Sequence, residues 1–386
     1  MIPMHIAING WFWNQPDTGS GQYVRELLRA LRQIDKANDY TLVIPGHKNT
    51  PDNVPDGVNI ITTGSSPDSK PGKVWFEQQQ FPAAVRRSNA DIAHVPYWGP
   101  PLSSPAKLVT SVLDVIPLLY PEYSGGIMTR LYTSMVKAAA QGSAYVITLS
   151  EASKTDVAAQ LPFPPERVIP IHLAPKEAYH PKMGAERDPD VAKKYNLPED
   201  PFIFYIGGFD ARKQLDQLFA AYTYVVQAHG EYTPLVIAGR EPDWTNPLFP
   251  DMRTYADSLD IPEENLFWIG YVDEEDKPSL YRLAELFVYP SAYEGFGLPI
   301  LEAMASGTPT VANNIPVFDE IVGDGAFLIE AGSATKMGGA MLALLEQKDL
   351  YDSMRNNGAA RATNFTWRKT ARETLDVYKK ALAYTD

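Results

Sequence analysis

Residues 286–312 read LFVYPSAYEGFGLPILEAMASGTPTVA. The run LFVYP is short, apolar and aromatic, as a buried strand is. A glycine-rich turn follows, then an apolar stretch long enough for a helix, then TPTVA, a second strand-like run. Gly295 and Gly297 suit a tight turn and Pro299 suits the first helical positions. Two strands joined through a helix run parallel, and a parallel sheet needs helices on both faces. The stretch predicts an α/β fold.

The alternation repeats along the chain. In the first half the strand-like runs are HIAIN (5–9), TLVI (41–44), DIAH (91–94), KLVTSV (107–112) and YVITL (145–149). A helical stripe over 21–34 places Val24, Leu27, Leu28, Leu31 and Ile34 on one face. In the second half, FIFYI (202–206), PLVIA (234–238) and LFWI (266–269) precede the opening stretch. Two such series predict two doubly wound domains, residues 1–180 and 181–366. A chain of 386 residues, 45% hydrophobic, is long enough to give each its own core. The stretch HPKMGAERDPD (180–190), rich in Pro, Gly and charge, is the expected linker. A last helix is expected over about 367–383.

Composition narrows the chemistry. There are no cysteines, which excludes disulfides, thiolate zinc sites and a cysteine nucleophile. Net charge is −13, and all of it lies in the second half. Residues 1–180 balance 15 basic against 15 acidic side chains, whereas 181–386 carry 19 basic and 32 acidic. Such a field repels nucleic acid and anionic membranes, so an anionic ligand of that half needs a local device. The N-terminal stretch MIPMHIAINGWFWNQ lacks a basic region and a long apolar run, and no segment approaches a membrane span. A cytoplasmic protein with at most peripheral membrane contact is expected.

Ligands of open α/β sheets bind beyond the carboxyl ends of strands. Four segments lie there. YIGGFDARKQL (205–215) puts Gly207 and Gly208 after a strand and Arg212 and Lys213 just before a helix. Adjacent cations at a helix start oppose its dipole, and a bound diphosphate resolves the conflict. YPSAYEGFGLPILEAMASGTPTVA (289–312) puts Glu294 on the loop and Glu302 in the helix, as acceptors for sugar hydroxyls. NGWFWNQPDTGSGQYVREL (9–27) offers Gly19 and Gly21 at a helix start, read equally as a phosphate loop or a plain turn. TSVLDVIPLLYPE (110–122) ends a strand near Asp114, read equally as a site acid or a loop cap. The six histidines show no metal spacing. His94 is read as cleft-facing or structural, and Trp11, Trp13, Tyr97 and Trp98 more as core than as sugar platforms. Asp188-Pro-Asp190 is read as a turn rather than a metal motif.

With these segments in this order, the chain resembles the retaining glycosyltransferases of family four, which have the GT-B fold. The segment 205–218 is similar to that family's phosphate-binding segment, and 267–312 to its nucleotide-sugar signature with two spaced glutamates. The segment 18–31 is similar to its N-terminal glycine loop. FTWRKTARETLDVYKKAL (365–382) resembles its last helix, which crosses back to the N-terminal domain. The resemblance implies two Rossmann-like domains facing a central cleft. It implies that Arg212 and Lys213 hold a donor diphosphate, with Gly208 in their turn. Glu294 would contact the donor sugar and Glu302 the ribose. The amides of Phe296, Gly297 and Leu298 would face sugar and phosphate, Tyr271 and Val272 the base, and Gly21 would let the N-terminal loop close. Many members have His-Asp where this chain has Leu113-Asp114, so Asp114 alone remains on the acceptor side.

The implied reaction is retaining, metal-independent transfer of a hexose from a nucleoside diphosphate sugar to a saccharide or lipid-linked hydroxyl, with no cofactor. DVIPLLYPE (114–122) is similar to polysaccharide mannosyltransferases and favours GDP-mannose over UDP-glucose. The alternatives are a non-catalytic nucleotide-sugar-binding subunit, which Leu113 permits, and a glycoside hydrolase using Glu294 and Glu302 as its acid pair.

Overall fold

A computed structural model describes residues 3–46, 51–66, 69–124, 126–229 and 232–385. The chain divides into two compact units, Met1–Leu173 with Thr366–Asp386, and Ala174–Phe365.

The first unit is built on a seven-stranded sheet. Its strands are β1 (His5–Asn9), β2 (Asp39–Pro45), β3 (Val58–Thr63), β4 (Ile92–Val95), β5 (Lys107–Ser111), β6 (Tyr145–Thr148) and β7 (Val168–Pro170). They run in the order β3-β2-β1-β4-β5-β6-β7, every pair parallel. The second unit has a six-stranded sheet of β8 (Ile203–Ile206), β9 (Leu235–Ala238), β10 (Leu266–Gly270), β11 (Leu286–Tyr289), β12 (Thr310–Asn313) and β13 (Phe327–Ile329). Their order is β10-β9-β8-β11-β12-β13, again all parallel. Strand order reverses between β1 and β4 in the first sheet and between β8 and β11 in the second. Those reversals open the crevices in which doubly wound sheets bind ligands.

The central strands are buried along their whole length, as strands covered on both faces must be: IFYI, LFVY and TVAN have no exposed residue. Phe204, Tyr281 and Phe287 meet edge-to-face or tilted with centroids 5.2–6.0 Å apart, and they form the aromatic centre of the second core. In the first unit, Trp11, Val43, Phe76, Phe81 and Tyr97 share one core cluster. Trp11, Trp13 and Tyr97 are buried, as expected of core aromatics, and Trp98 is half-buried.

The last helix, Trp367–Ala383, belongs to the first unit. Its Tyr378 hydroxyl lies 2.7 Å from Nδ1 of His94, whose Nε2 lies 2.9 Å from Ser111 Oγ. Ser111 Oγ in turn lies 3.1 Å from the Tyr23 hydroxyl. This chain ties the helix to β4, β5 and the first helix. His94 is buried and fully partnered, and burial drives its pKa down to about 3, so the imidazole is neutral and structural.

The expected linker is corrected. Residues 180–190 lie inside the second unit, and Asp188 starts a helix, Asp188–Lys194. Its carboxylate pairs with Arg282 at 2.5 Å in a largely buried contact. Proline and charge there start a helix and anchor it instead of keeping a tether soluble.

Candidate active site

The crevice at the β8/β11 reversal gathers three of the expected residues. After Ile206, Gly207 turns so close to Tyr205 that a Cβ would lie 2.7 Å from its hydroxyl. That hydroxyl donates to the Gly208 carbonyl at 2.6 Å. A short 3₁₀ turn, Ala211–Lys213, then presents the two cations before the helix Leu215–Ala228.

Both cations reach the loop that follows β11. Arg212 donates through Nη1 to the Tyr293 carbonyl at 2.5 Å and to Glu294 Oε1 at 3.3 Å. Its Nε lies 3.3 Å from Asp210 Oδ1. Lys213 Nζ donates to Glu294 Oε1 at 2.5 Å and to the Tyr289 hydroxyl at 2.6 Å. Ser291 and Tyr289 donate to the same oxygen at 2.8 and 3.0 Å. A backbone strap, Ala292 N to Arg212 O at 2.9 Å, joins the two loops directly. Burial pushes the Glu294 carboxyl up, but Lys213 and Arg212 outweigh it and hold its pKa below the usual range. The carboxylate is ionised and well caged, which suits a hydrogen-bond acceptor and not a general acid.

Glu302 has a different environment. It is buried in the helix Leu298–Ser306, and Tyr281 donates to its Oε2 at 3.1 Å. Burial pushes its pKa up to about 7, against the opposing pull of Lys277. Glu294 is thus held as an anion, whereas the Glu302 carboxyl is pushed toward its protonated form.

The turn between them is built for close approach. Gly297 adopts φ +100, and a Cβ there would meet Phe318 at 2.7 Å. The residue has to be glycine on both counts. Leu298 opens the helix, Pro299 carries no N–H, and the N–H groups of Ile300 and Leu301 donate to the Gly297 carbonyl at 3.1 and 3.3 Å. Phe296 is buried edge-on against Phe365. Tyr271, just beyond β10, is 40% exposed with Arg240 over its ring at 5.2 Å, while Val272 is buried.

Two expected residues of the first unit have local partners. Gly19 opens the first helix in open space, but Gly21 sits inside it, where a Cβ would come within 2.0 Å of the Gln15 carbonyl oxygen. Its N–H also donates to the capping Thr18 Oγ1 at 3.1 Å. Gly21 lies in the first turn of that helix, packed against the Gln15 and Phe12 carbonyls. Asp114 Oδ1 accepts from the Ile116 N–H at 3.1 Å, the geometry of a loop cap.

Tyr289, Ser291, Asp210 and Tyr281 complete these environments and were missed in the sequence. Tyr289 and Ser291 flank the end of β11, a position that could have marked them. Asp210 and Tyr281 carry no such signal, because only the fold brings them to their partners.

The family description "Glycosyl transferases group 1" matches residues 187–361, and "Glycosyltransferase Family 4" matches residues 18–174. The O-antigen chain mannosyltransferase B of Escherichia coli is 30% identical over 286 residues, 73% of this chain and 74% of its own. The serotype-specific mannosyltransferase WbdA of Escherichia coli is 27% identical over 281 residues, 72% of this chain and 34% of that longer one. Among solved structures, sucrose-phosphate synthase from Thermosynechococcus elongatus superposes with a TM-score of 0.74 at 19% identity, covering 99% of this chain and 100% of that one. Anabaena Alr3699/HepE in complex with UDP gives 0.71 at 16% identity, covering 97% and 98%. These two likenesses establish the GT-B fold.

Proposed function

The chain belongs to the group 1, family 4 glycosyltransferases, and on that premise we propose that it transfers mannose, with retention, from GDP-mannose to a hydroxyl of a saccharide or lipid-linked acceptor. The observation that carries the reading is the convergence of Arg212, Lys213 and Glu294 at the β8/β11 reversal. The choice of mannose rests on the names of the two Escherichia coli relatives.

In this reading Arg212 and Lys213 receive the donor diphosphate. Arg212 can fork two phosphate oxygens and Lys213 supplies a point charge. Glu294 takes sugar hydroxyls, Glu302 the ribose, Tyr271 and Val272 the base. Gly208 and the amides of Phe296, Gly297 and Leu298 let backbone approach the phosphates. The bond from the sugar's anomeric carbon to the diphosphate breaks with its electron pair on the departing oxygen. The two fixed cations stabilise that charge, so no metal is required. The acceptor oxygen bonds to the same face, and its proton passes to the departing phosphate. Asp114 is assigned to the acceptor.

Two measurements test this. A thermal-shift panel of UDP-, GDP-, ADP- and dTDP-sugars should show stabilisation, largest with the GDP sugar. Arg212→Ala should lower turnover about 10²–10³-fold, the typical loss for one preorganised donor. Unchanged turnover in that variant would sink the leaving-group role.

A further inference from the structure

Gln214 follows Lys213 directly and holds a left-handed backbone, φ 50 and ψ 44. A residue with a Cβ adopts that conformation only when its surroundings impose it. Gln214 makes no side-chain cap to the helix it precedes. Its side chain instead turns to the sheet, where Oε1 accepts from Asn313 Nδ2 at 2.9 Å.

Asn313 ends β12 and has no exposed surface. The same amide nitrogen donates to the carbonyl of Pro290, the first residue of the loop that carries Glu294. Gln217 Nε2 donates to Asn313 Oδ1 at 3.1 Å, and Gln217 Oε1 lies 3.1 Å from the same Nδ2, so the two N–H groups of Asn313 are shared among three acceptor oxygens. Gln217 Oε1 accepts the Gly332 N–H at 3.2 Å as well. This buried amide thus meets the turn of Arg212 and Lys213, the start of the Glu294 loop and the helix Leu215–Ala228, and Gln217 extends the network to the turn after β13. Only Asn or Gln offers donors and an acceptor together without charge, and Asp at this point would set oxygens against the Gln214 and Pro290 oxygens.

We propose that Asn313 is a positioning residue for the donor site: it clamps Gln214 in the left-handed turn that aims Arg212 and Lys213, and through Pro290 it holds the opposing Glu294 loop in register. This rests on the reading that the two cations bind the donor diphosphate. The clamp acts on the backbone of the cation turn and touches no substrate. Its loss therefore raises the donor KM and leaves the acceptor KM in place.

The test uses the full-length chain with GDP and UDP as probes in titration calorimetry, and melting curves to check folding. Asn313→Ala should weaken nucleotide binding about tenfold or more, the cost of releasing one strained residue. Gln214→Ala should weaken it in the same way, because it loses the tether and keeps the Cβ. Gln214→Gly should bind more tightly than Gln214→Ala, since glycine adopts the turn without a tether. Gln214→Gly added to Asn313→Ala should restore part of the loss. Equal affinity of Gln214→Ala and Gln214→Gly, or wild-type affinity in Asn313→Ala, overturns the clamp. Should Asn313→Ala fail to fold, the two variants at half-buried Gln214 decide alone. A wild-type chain that binds neither probe overturns the donor-site reading itself, and the clamp with it.

Discussion

Glu294 and Glu302 share one short stretch of sequence, and their surroundings push them in opposite directions. Glu294 is stabilised as an anion by two cations, whereas Glu302 is pushed up to about 7 by burial. Glu77 in the first unit is also pushed up to about 7 by burial, with the Tyr132 hydroxyl 3.0 Å from each of its oxygens. The pH consequence has a definite sign. A carboxyl raised above its unfolded value binds protons more tightly when folded, so its contribution is complete below the unfolded value and is lost as pH rises through the folded one. For Glu302 and Glu77 the loss runs from about pH 4.5 to about 7. The melting temperature should fall across that interval. Glu302→Gln and Glu77→Gln should each flatten the fall, and calorimetry over a pH series reads it. An unchanged slope in the double variant would remove the assignment. The sequence showed that two acids flank a glycine turn. It could not show their opposite shifts, which depend on Lys213 and Arg212 reaching Glu294 from another element and on how deeply the fold buries Glu302.

At the scale of elements, the first unit depends on a helix supplied by the far end of the chain. Trp367–Ala383 buries Ala371, Leu375, Val377, Tyr378 and Ala381, one stripe of an amphipathic helix. Tyr378→Phe keeps that stripe and leaves Nδ1 of buried His94 without its partner. The cost should be about 1–3 kcal/mol, measured by urea unfolding. Leu382→Ala, at an exposed position of the same helix, should stay within about 0.5 kcal/mol. The helix was legible because a stripe of period 3.6 is a local property. β3, β7 and β13 were not. All three are edge strands, β7 and β13 have three residues each, and the pattern of β3 is largely exposed. An edge strand carries little of the apolar run that marks a central one.

At the scale of the molecule, each unit has its own sheet and core, and the acidic excess belongs to the second half of the sequence. Units with separate cores unfold as separate cooperative blocks. We expect two calorimetric transitions, of which a nucleoside diphosphate raises one. At a hundredfold excess over Kd the stabilisation should be about 2.7 kcal/mol. Equal shifts in both transitions would contradict a donor site built within residues 174–365. Among the described residues no helix is long and apolar enough to cross a membrane.

The sequence by itself determined the alternation of strand and helix, the two parallel sheets, and the segments that follow β8 and β11. Those are consequences of periodicity and of glycine and proline placement, which act over a few neighbouring residues. Tertiary structure alone decided which segments meet. β8 pairs with β11 across some eighty residues, and that pairing brings Arg212 and Lys213 onto Glu294. Tertiary structure also turned the supposed linker into an anchored helix and placed Asn313 beside Gln214. Periodicity states which face of an element is buried, whereas the partner on that face is set by the order of strands in the sheet.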